Sequence, residues 1–575
     1  MTREGAALPD QFRFSGQMRR GDPGNRQGMS MQSVAYLKIH PGVGIARLGN
    51  ARGEGSATQR TDYFVGPVRP GPVAPPPGGY KVEGCVKRQA AEFRVFAYDA
   101  KGGCLGEVTA AEARIDWTVT VANTKASWLT FNGQKPGAPR NPKISGPARA
   151  GLEIAPGPRS ISGAHASPVR FDSGQFVADP ETAPVAVPLG ELLTDGAGRL
   201  LVLGGHGHSA APGGEPIEDY ANNDGWHDDT SDGRVAAQVT LSDGRVLDAA
   251  PSWVICTVPK FAPALENVVT AYDMLWDLWV QGHPEDRPTT TDYWTDVHPV
   301  LLRIMNVRWT MGTGPVHAFA VQMAMREAAT RGDRKALFDR IRSPYGDNRG
   351  LMNMPMLYSD QYVWRPQGDA GFAVTGVIYD HLGRWVDAGA PGGAPPATPG
   401  ADAPVTPEGM DRAALENACG GPFYPGMEFG WMMRDVYTWA EPFRLAEAQR
   451  ASVTGKLEPG DVTKQMAVPW QADFLQCRRD TVDAPVPGAT KAPPEDTAQL
   501  AGPVYYPGWW PQHRPDMVTP FGQTVPRVWT RGIGINDTAG FIAEWSKLGF
   551  VLERAGVYWE TERDLPEPPE PPEPT

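Results

Sequence analysis

Alternation of apolar and polar residues dominates the first half of the chain. SVAYLKI (33–39), EFRVFAY (92–98) and IDWTVTVAN (115–123) place apolar side chains at every second position and favour β-branched and aromatic types, the pattern of strands laid on a pleated sheet. DAKGG after the second is a turn signal, so EFRVFAY and CLGEVT are predicted to form a hairpin. GRLLVLGG (198–205) reads as a buried strand ending in Gly. RVAAQVTLSDGRVLDAAPSWVIC (234–256) reads as a hairpin turning at SDG, then another strand. After Pro259 the period lengthens. In ALENVVTAYDMLWDLWVQG (264–282), Val268, Tyr272, Leu275 and Trp279 fall at steps of 4, 3 and 4, one helix face ending at Gly282. PVHAFAVQMAMREAAT (315–330), DRKALFDRIR (333–342) and a segment near 411–419 predict further helices. The fold class expected is α+β: a β-rich N-terminal half of sandwich-like sheets, a helical middle, and an irregular Trp- and Pro-rich C-terminal region.

Gly and Pro punctuate this order. There are 66 Gly and 58 Pro, more than a fifth of the 575 residues and well above the usual share. They concentrate in 65–79, in the Pro/Gly-rich loop 388–409 and in the acidic Pro-rich tail 564–575, expected to be disordered. The regions expected are a flexible N-terminal arm over 1–32, with Met29 or Met31 as a candidate start, a β-rich region over 33–258, a helical region over 259–387, and 410–563 closing the fold.

Charge and composition remove several function classes. The formal net charge of −12 opposes a nucleic-acid partner, which needs a basic footprint. The densest basic stretch, Arg326 to Arg342, is interrupted by Glu327, Asp333 and Asp339 and reads as a solvated helix face. No run of 18 apolar residues occurs, so no membrane span is expected. The Arg-bearing N-terminus lacks the apolar core of a secretory signal; the protein is expected to be cytoplasmic, or exported without a classical signal. Five scattered Cys make no disulfide framework, and without a CxxC pair or HExxH no metal is expected.

Read from residue types alone, the chemically suggestive positions have structural readings beside the functional ones. Trp470 is one of 18 Trp, most of which anchor cores. Asp473 suits a turn cap, Cys477 a small buried apolar residue, Asp411 a helix N-terminus, and Glu428 the PGM turn. His206 and His208 alternate on an extended segment, and two His without a third ligand fit backbone packing at a strand end better than a metal. Asp224, Asp228, Asp229 and Asp232 are dense, but the EF-hand pattern is absent, and a hydrogen-bonded structural loop is expected. His317 and His381 lie in predicted helices and read as ordinary core or surface histidines.

The order of longer blocks carries more. IHPGVGIARLGN (39–50), KRQAAEFRVFAYD (87–99), DWTVTVANTKASW (116–128), LGGHGHS (203–209), YANNDGWHDDTSDG (220–233), PKFAPALENVVTAYD (259–273), CGGPFYPGMEFGW (419–431), VPWQADFLQC (468–477) and YYPGWWPQHRPDMV (505–518) follow one another along the chain. In this order they resemble the cysteine tryptophylquinone-dependent amino-acid oxidases, the family of lysine ε-oxidase and glycine oxidase.

The resemblance implies a cofactor made from the chain itself: a Trp that gains two oxygens and is cross-linked through sulfur to a Cys. The matching Trp is Trp470. The matching Cys is Cys419, 51 residues earlier, with Cys477 as the alternative. An ortho-quinone supplies an electrophilic carbonyl that no ordinary side chain offers, so a substrate amine can condense with it as a Schiff base. A carboxylate or His then takes the acidified proton, and O₂ reoxidises the ring, giving H₂O₂, a carbonyl product and ammonia. The base stays open among Asp411, Glu416, Glu428 and Asp473. His227, His513 and Tyr220 are candidates to line the substrate pocket. The resemblance further implies a flavoprotein maturation enzyme and a homo-oligomer. Glycine-type oxidation is the first substrate expectation and the lysine ε-amine the second. The rivals are a non-catalytic relative with unmodified Trp470 and Cys419, and a carbohydrate- or surface-binding β protein.

Overall fold

A computed structural model of the chain describes residues 31–132, 135–179, 181–311, 322–323, 330–345, 354–355, 357–358, 373–389, 403–420, 427–428, 430–446, 457–475, 508–509, 512–534 and 537–566. The β-rich half forms one network of 13 strands. In chain order they are β1 (Tyr36–His40), β2 (Val43–Arg47), β3 (Tyr63–Val65), β4 (Arg88–Tyr98), β5 (Cys104–Val108), β6 (Ala113–Ala122) and β7 (Arg159–Ser162). They continue with β8 (Val169–Arg170), β9 (Glu191–Thr194), β10 (Leu200–Leu203), β11 (Ser231–Leu241), β12 (Val246–Ala250) and β13 (Ser252–Thr257). The order β1–β12–β11–β13–β2–β4 closes on itself, because β1 pairs with both β12 and β4, and closure removes open edges. The predicted hairpins are present, β4 with β5 and β11 with β12.

Period-2 patterning assigns the faces. Along β6, Ala113, Ile115, Trp117, Val119 and Val121 enter the β core while the residues between them are less buried. β13 is buried on both faces, as its unbroken apolar run requires. Val254 and Cys256 face the β core. Trp253 and Ile255 face a second cluster containing Ala271, Leu275, Leu415 and Ala418. The sheet thus presents one face to helices α1 (Ala271–Gly282) and α5 (Pro407–Glu416).

Between α1 and α5 come α2 (His298–Asn306), α3 (Arg331–Phe338) and α4 (Gly376–Ala388), and α6 (Thr538–Glu544) follows. The first helix starts later than its apolar pattern predicts, at Ala271 rather than near 264. Two interactions, one local and one long-range, set the start. Thr270 and Asp273 form a reciprocal capping box. Residues 269–271 also make an antiparallel bridge to 418–420, with Ala271 N–H to Ala418 O at 3.1 Å and Gly420 N–H to Val269 O at 3.1 Å. Val268 and Val269 therefore lie in a bend and Thr270 is extended, and Cys419 is fastened beside the helix N-terminus. Gly420 is required here, since a Cβ would lie 1.8 Å from Thr270 O. The 315–330 helix, the 1–32 arm, the core of the 388–409 loop, most of the 564–575 tail, Cys477 and His317 fall largely or wholly outside the described residues.

Candidate active site

Trp470 opens a helical segment whose described residues are 470–475, and it is 1% exposed. The β half holds the approach to it through a set of short hydrogen bonds, most of them with a side chain on at least one side. Val468 N–H donates to Ala221 O at 2.9 Å, and Val468 O accepts from Asn223 Nδ2 at 3.0 Å. Thr463 is bound through its N–H and hydroxyl to Asp232 at 2.7 and 2.6 Å. Gln471 accepts from Ser209 Oγ at 2.7 Å and donates to Gly207 O at 3.0 Å. The dense acidic block at 224–232 and the Gly/His segment at 203–209 are thus clamps on the Trp470 segment.

At the centre of the clamp, Asp228 Oδ2 accepts from Trp470 N–H at 3.0 Å and from Lys125 Nζ at 2.6 Å. Both side chains of the ion pair are fully buried. Burial lowers the Lys125 ammonium from its ordinary value, and Asp228 offsets part of that. Asp228→Ala is expected to destabilise the protein by about 3–5 kcal/mol, because it strands a buried cation. Denaturant unfolding checks this, and Asp228→Ala/Lys125→Met should recover part of the loss. Equal losses in the single and double variants would show that the pair is not the cause.

The indole ring meets Phe474 at 5.0 Å and Trp545 at 5.4 Å, both edge-on. Trp545 also explains Gly207, at which a Cβ would lie 2.3 Å from the Trp545 ring. Trp470 Nε1 is buried and makes no hydrogen bond among the described residues. An indole used only as a core anchor normally satisfies that group.

Cys419 lies in the same buried cluster as Trp470, with Phe261, Val268 and Met427. Its N–H donates to Glu428 Oε2 at 3.1 Å. The other oxygen, Oε1, faces Arg47 Nη1 at 3.0 Å and accepts a short hydrogen bond from His513 Nε2. Glu428, His513 and Arg47 are all buried. Burial pushes the Glu428 carboxyl up, but His513 and Arg47 outweigh it and hold it down to about 2. Burial, aided by Arg47, lowers His513 to about 4 against the pull of Glu428. At neutral pH, then, Glu428 is ionised, His513 is neutral with its proton on Nε2, and Nδ1 carries a lone pair. That Nδ1 has no partner among the described residues. Burial also pushes the Cys419 thiol well above its ordinary value; Glu428 adds to this, while Arg434, Lys260 and Arg47 oppose it. Lys260 Nζ donates to Asn417 Oδ1 at 2.6 Å, and Arg47 Nη2 to Asn417 O at 2.8 Å. Burial brings the Lys260 ammonium down to about 7.

The segment 512–514 ties the two halves of the site together. Gln512 N–H reaches Asn267 Oδ1 at 3.3 Å, His513 reaches Glu428, and Arg514 Nη1 donates to Asp473 O at 2.6 Å. Glu428, His513, Cys419, Trp470 and Asp473 are therefore brought to one region.

Two of the candidate carboxylates have their described bonds elsewhere. Asp411 accepts from Gly42 N–H at 2.6 Å and pairs with His40 Nδ1 at 3.0 Å, holding the β1–β2 turn. Glu416 accepts from Arg412 Nε at 2.5 Å, and burial raises its carboxyl to about 7. Tyr220 is partly buried against the Trp470 cluster. His227 is 2% exposed and packs on Phe176, with ring centroids 5.0 Å apart. Its two ring nitrogens are unpartnered among the described residues, and burial lowers it to about 4. His206 and His208 are fixed through their backbone N–H groups, both donated to Asp229 Oδ2. His381, on α4, bonds Thr291 Oγ1 at 2.9 Å. No group of three metal-ligating side chains occurs among the described residues, and no helix among them is long and apolar enough to cross a membrane.

Sequence reasoning did not single out Arg47, Lys260, Lys125 and Asp228 as site residues. The available signal was that Arg47, Lys260 and Lys125 are cations inside apolar or β-patterned blocks, where a charge is buried only with a partner.

This scaffold matches known proteins along most of its length. The L-lysine ε-oxidase N-terminal model matches residues 40–256, and the L-lysine ε-oxidase C-terminal domain model matches residues 351–492. The L-lysine 6-oxidase of Marinomonas mediterranea is 27% identical over 663 aligned residues, covering 90% of this chain and 87% of that protein. The crystal structure of the L-Lys ε-oxidase from the same organism superposes with a TM-score of 0.71 at 23% identity, covering 92% of this chain and 95% of the other. The Schiff base intermediate of that oxidase with L-Lys superposes with a TM-score of 0.70. These last two likenesses are ones of fold. The chain is an oxidase, and it belongs to the L-lysine ε-oxidase family that the two models describe.

Proposed function

We propose that the protein oxidises a primary amine of an amino acid, consuming O₂ and water and releasing the carbonyl product, ammonia and H₂O₂. The observation that carries this reading is the placement of Cys419 and Trp470 in one buried hydrophobic cluster, with Cys419 bonded to an ionised, fully buried Glu whose partner is a neutral His. These residues fit a cysteine tryptophylquinone: the indole N–H makes no bond among the described residues that commits the ring to another role, and an uncharged thioether suits the position of Cys419, where burial opposes a thiolate. When formed, the quinone supplies an electrophilic carbonyl and a two-electron sink.

The chain's own residues do the rest. Glu428 accepts the Nε2 proton of His513 and fixes the ring, so that Nδ1 is the free base, the logic of a carboxylate-oriented imidazole. Nδ1 accepts the proton that an incoming ammonium must lose, returns it to the oxygen that leaves as water on condensation, and, free again, accepts the substrate carbon's proton. Arg47 holds Glu428 ionised. The tight burial of Glu428 and His513 keeps bulk water from competing for that proton. The lysine ε-amine takes first place as substrate over glycine, because the relative matched along 90% of the chain is an L-lysine 6-oxidase. A flavoprotein that oxygenates Trp470, and assembly into a homo-oligomer, belong to the same reading.

The test is intact mass and visible spectrum after co-expression with the candidate flavoprotein. Two oxygens gained and four hydrogens lost add about 28 Da, expected on a Trp470–Cys419 cross-linked peptide together with a visible absorption band. An unmodified mass, with the flavoprotein present and active, would sink the quinone reading and favour a non-catalytic relative.

A further inference from the structure

Several buried polar groups near the site have no bond to explain them. Among the described residues, Asn267 Nδ2, Gln512 Nε2, Gln512 Oε1 and His513 Nδ1 are all buried and unpartnered. Asn267 is 3% and Gln512 1% exposed. Buried side-chain amides nearly always find partners, so several unmet groups in one place need an account. They are in one place: Gln512 N–H reaches Asn267 Oδ1 at 3.3 Å, Phe261 N–H reaches His513 O at 3.1 Å, and Gln512 precedes His513 in the chain. Lys260 also has bonding capacity to spare. Its ammonium carries three N–H donors and bonds the neutral Asn417 side chain, while Glu266 and Glu428 act on it only electrostatically. Lys260 in turn acts on both Cys419 and His513, so a further acceptor near His513 would meet a cation.

We propose that Asn267 and Gln512 form the recognition site for the α-amino-acid head of the substrate. Asn267 Nδ2 and Gln512 Nε2 donate to its carboxylate, Gln512 Oε1 accepts from its α-ammonium when that is not the reacting amine, and Lys260 supplies the balancing charge. The proposal rests on the oxidase reading above and adds which residues make the enzyme select an amino acid over a simple amine. Amides suit this task, because an amine lacking the carboxylate leaves them buried and unpaired, a stronger penalty than a missing apolar contact.

The test uses L-lysine and cadaverine, which is lysine without its carboxylate. In the mature enzyme the kcat/KM ratio of lysine over cadaverine should be at least about 100 and should collapse to within about tenfold in Gln512→Met and in Asn267→Leu, chiefly through KM for lysine. Binding without turnover is measured by calorimetry in a Trp470→Phe background. There Gln512→Met should weaken L-lysine at least tenfold. Gln512→Glu, which keeps the size and adds a negative charge, should abolish lysine binding and tighten cadaverine. If all three variants bind L-lysine as their parent does, the amides are satisfied by internal water and the proposal is overturned. If the mature wild type oxidises no amine while the calorimetric pattern holds, the oxidase reading fails and the recognition site stands. Thermal melts confirm that each variant is folded. Should Gln512→Met melt low, Gln512→Glu still decides the matter, because a misfolded variant would lose both ligands rather than exchange one for the other.

Discussion

Trp470→Phe is expected to abolish amine oxidation and leave a folded protein, and Cys419→Ser to do the same through the thiol. The expected size follows from what each atom contributes. Phe keeps the edge-on packing against Phe474 and Trp545. It forfeits no hydrogen bond, since the indole N–H donates to nothing among the described residues. The missing ring volume costs about 1–2 kcal/mol on the scale of core truncations, well inside the roughly 5–15 kcal/mol that keeps a domain folded. Chemically the change is total, because neither a phenyl ring nor a serine hydroxyl can give the cross-linked quinone. H₂O₂ release from L-lysine should fall to background in both variants, with melting temperatures within a few degrees of wild type. Activity within tenfold of wild type in Trp470→Phe would remove Trp470 from the chemistry altogether.

How much of this was legible beforehand depended on whether the determining forces are local. Strand alternation is local, and β4, β6, β11 and the β4–β5 hairpin lie where the pattern puts them. The start of α1 is not: Val268 continues the helical apolar stripe, but residues 269–271 are drawn into a bridge with 418–420, a partner about 150 residues away in sequence. Proximity in sequence misdirects in the same way around Cys419. Asp411 and Glu416 precede it closely, yet the turn of α5 sends one to His40 and Gly42 and the other to Arg412. Glu428 and His513, 85 positions apart, share a bond. The acidic block at 224–232 resembles an ion-binding loop in composition, while its carboxylates are consumed by backbone N–H groups and Lys125. Arg47 and Lys260 sit in motifs whose order carries the family resemblance, but no spacing rule assigns a role to a lone cation. Their role appears only once the sheet and α5 bring Asn417 between them.

His513→Gln should lower kcat/KM by about 10²–10⁴, the usual contribution of a positioned base, with the quinone spectrum retained. The pH profile separates this role from a structural one. His513 accepts a proton only when neutral, so protonation inactivates. Its ordinary midpoint of 6.5 would put half the enzyme out of action there. Burial and Arg47 depress it to about 4, so the base-competent form prevails at every pH above that. The acid limb of kcat/KM should therefore lie near pH 4, and a separate fall as pH rises through about 7 belongs to Lys260, whose ammonium loses its proton there. Measurement in brief pH-jump assays keeps acid unfolding from imitating the limb. Glu428→Gln supplies the second half of the test. It removes the one charge pulling His513 upward and leaves Arg47 pushing it down, so the limb should move to lower pH or disappear, while kcat falls because the ring is no longer held in one tautomer. A Glu428 that merely braced the Cys419 backbone would lower stability and leave the limb where it was. An acid limb near 6.5 in wild type, unmoved by Glu428→Gln, would assign the proton transfer to some other group.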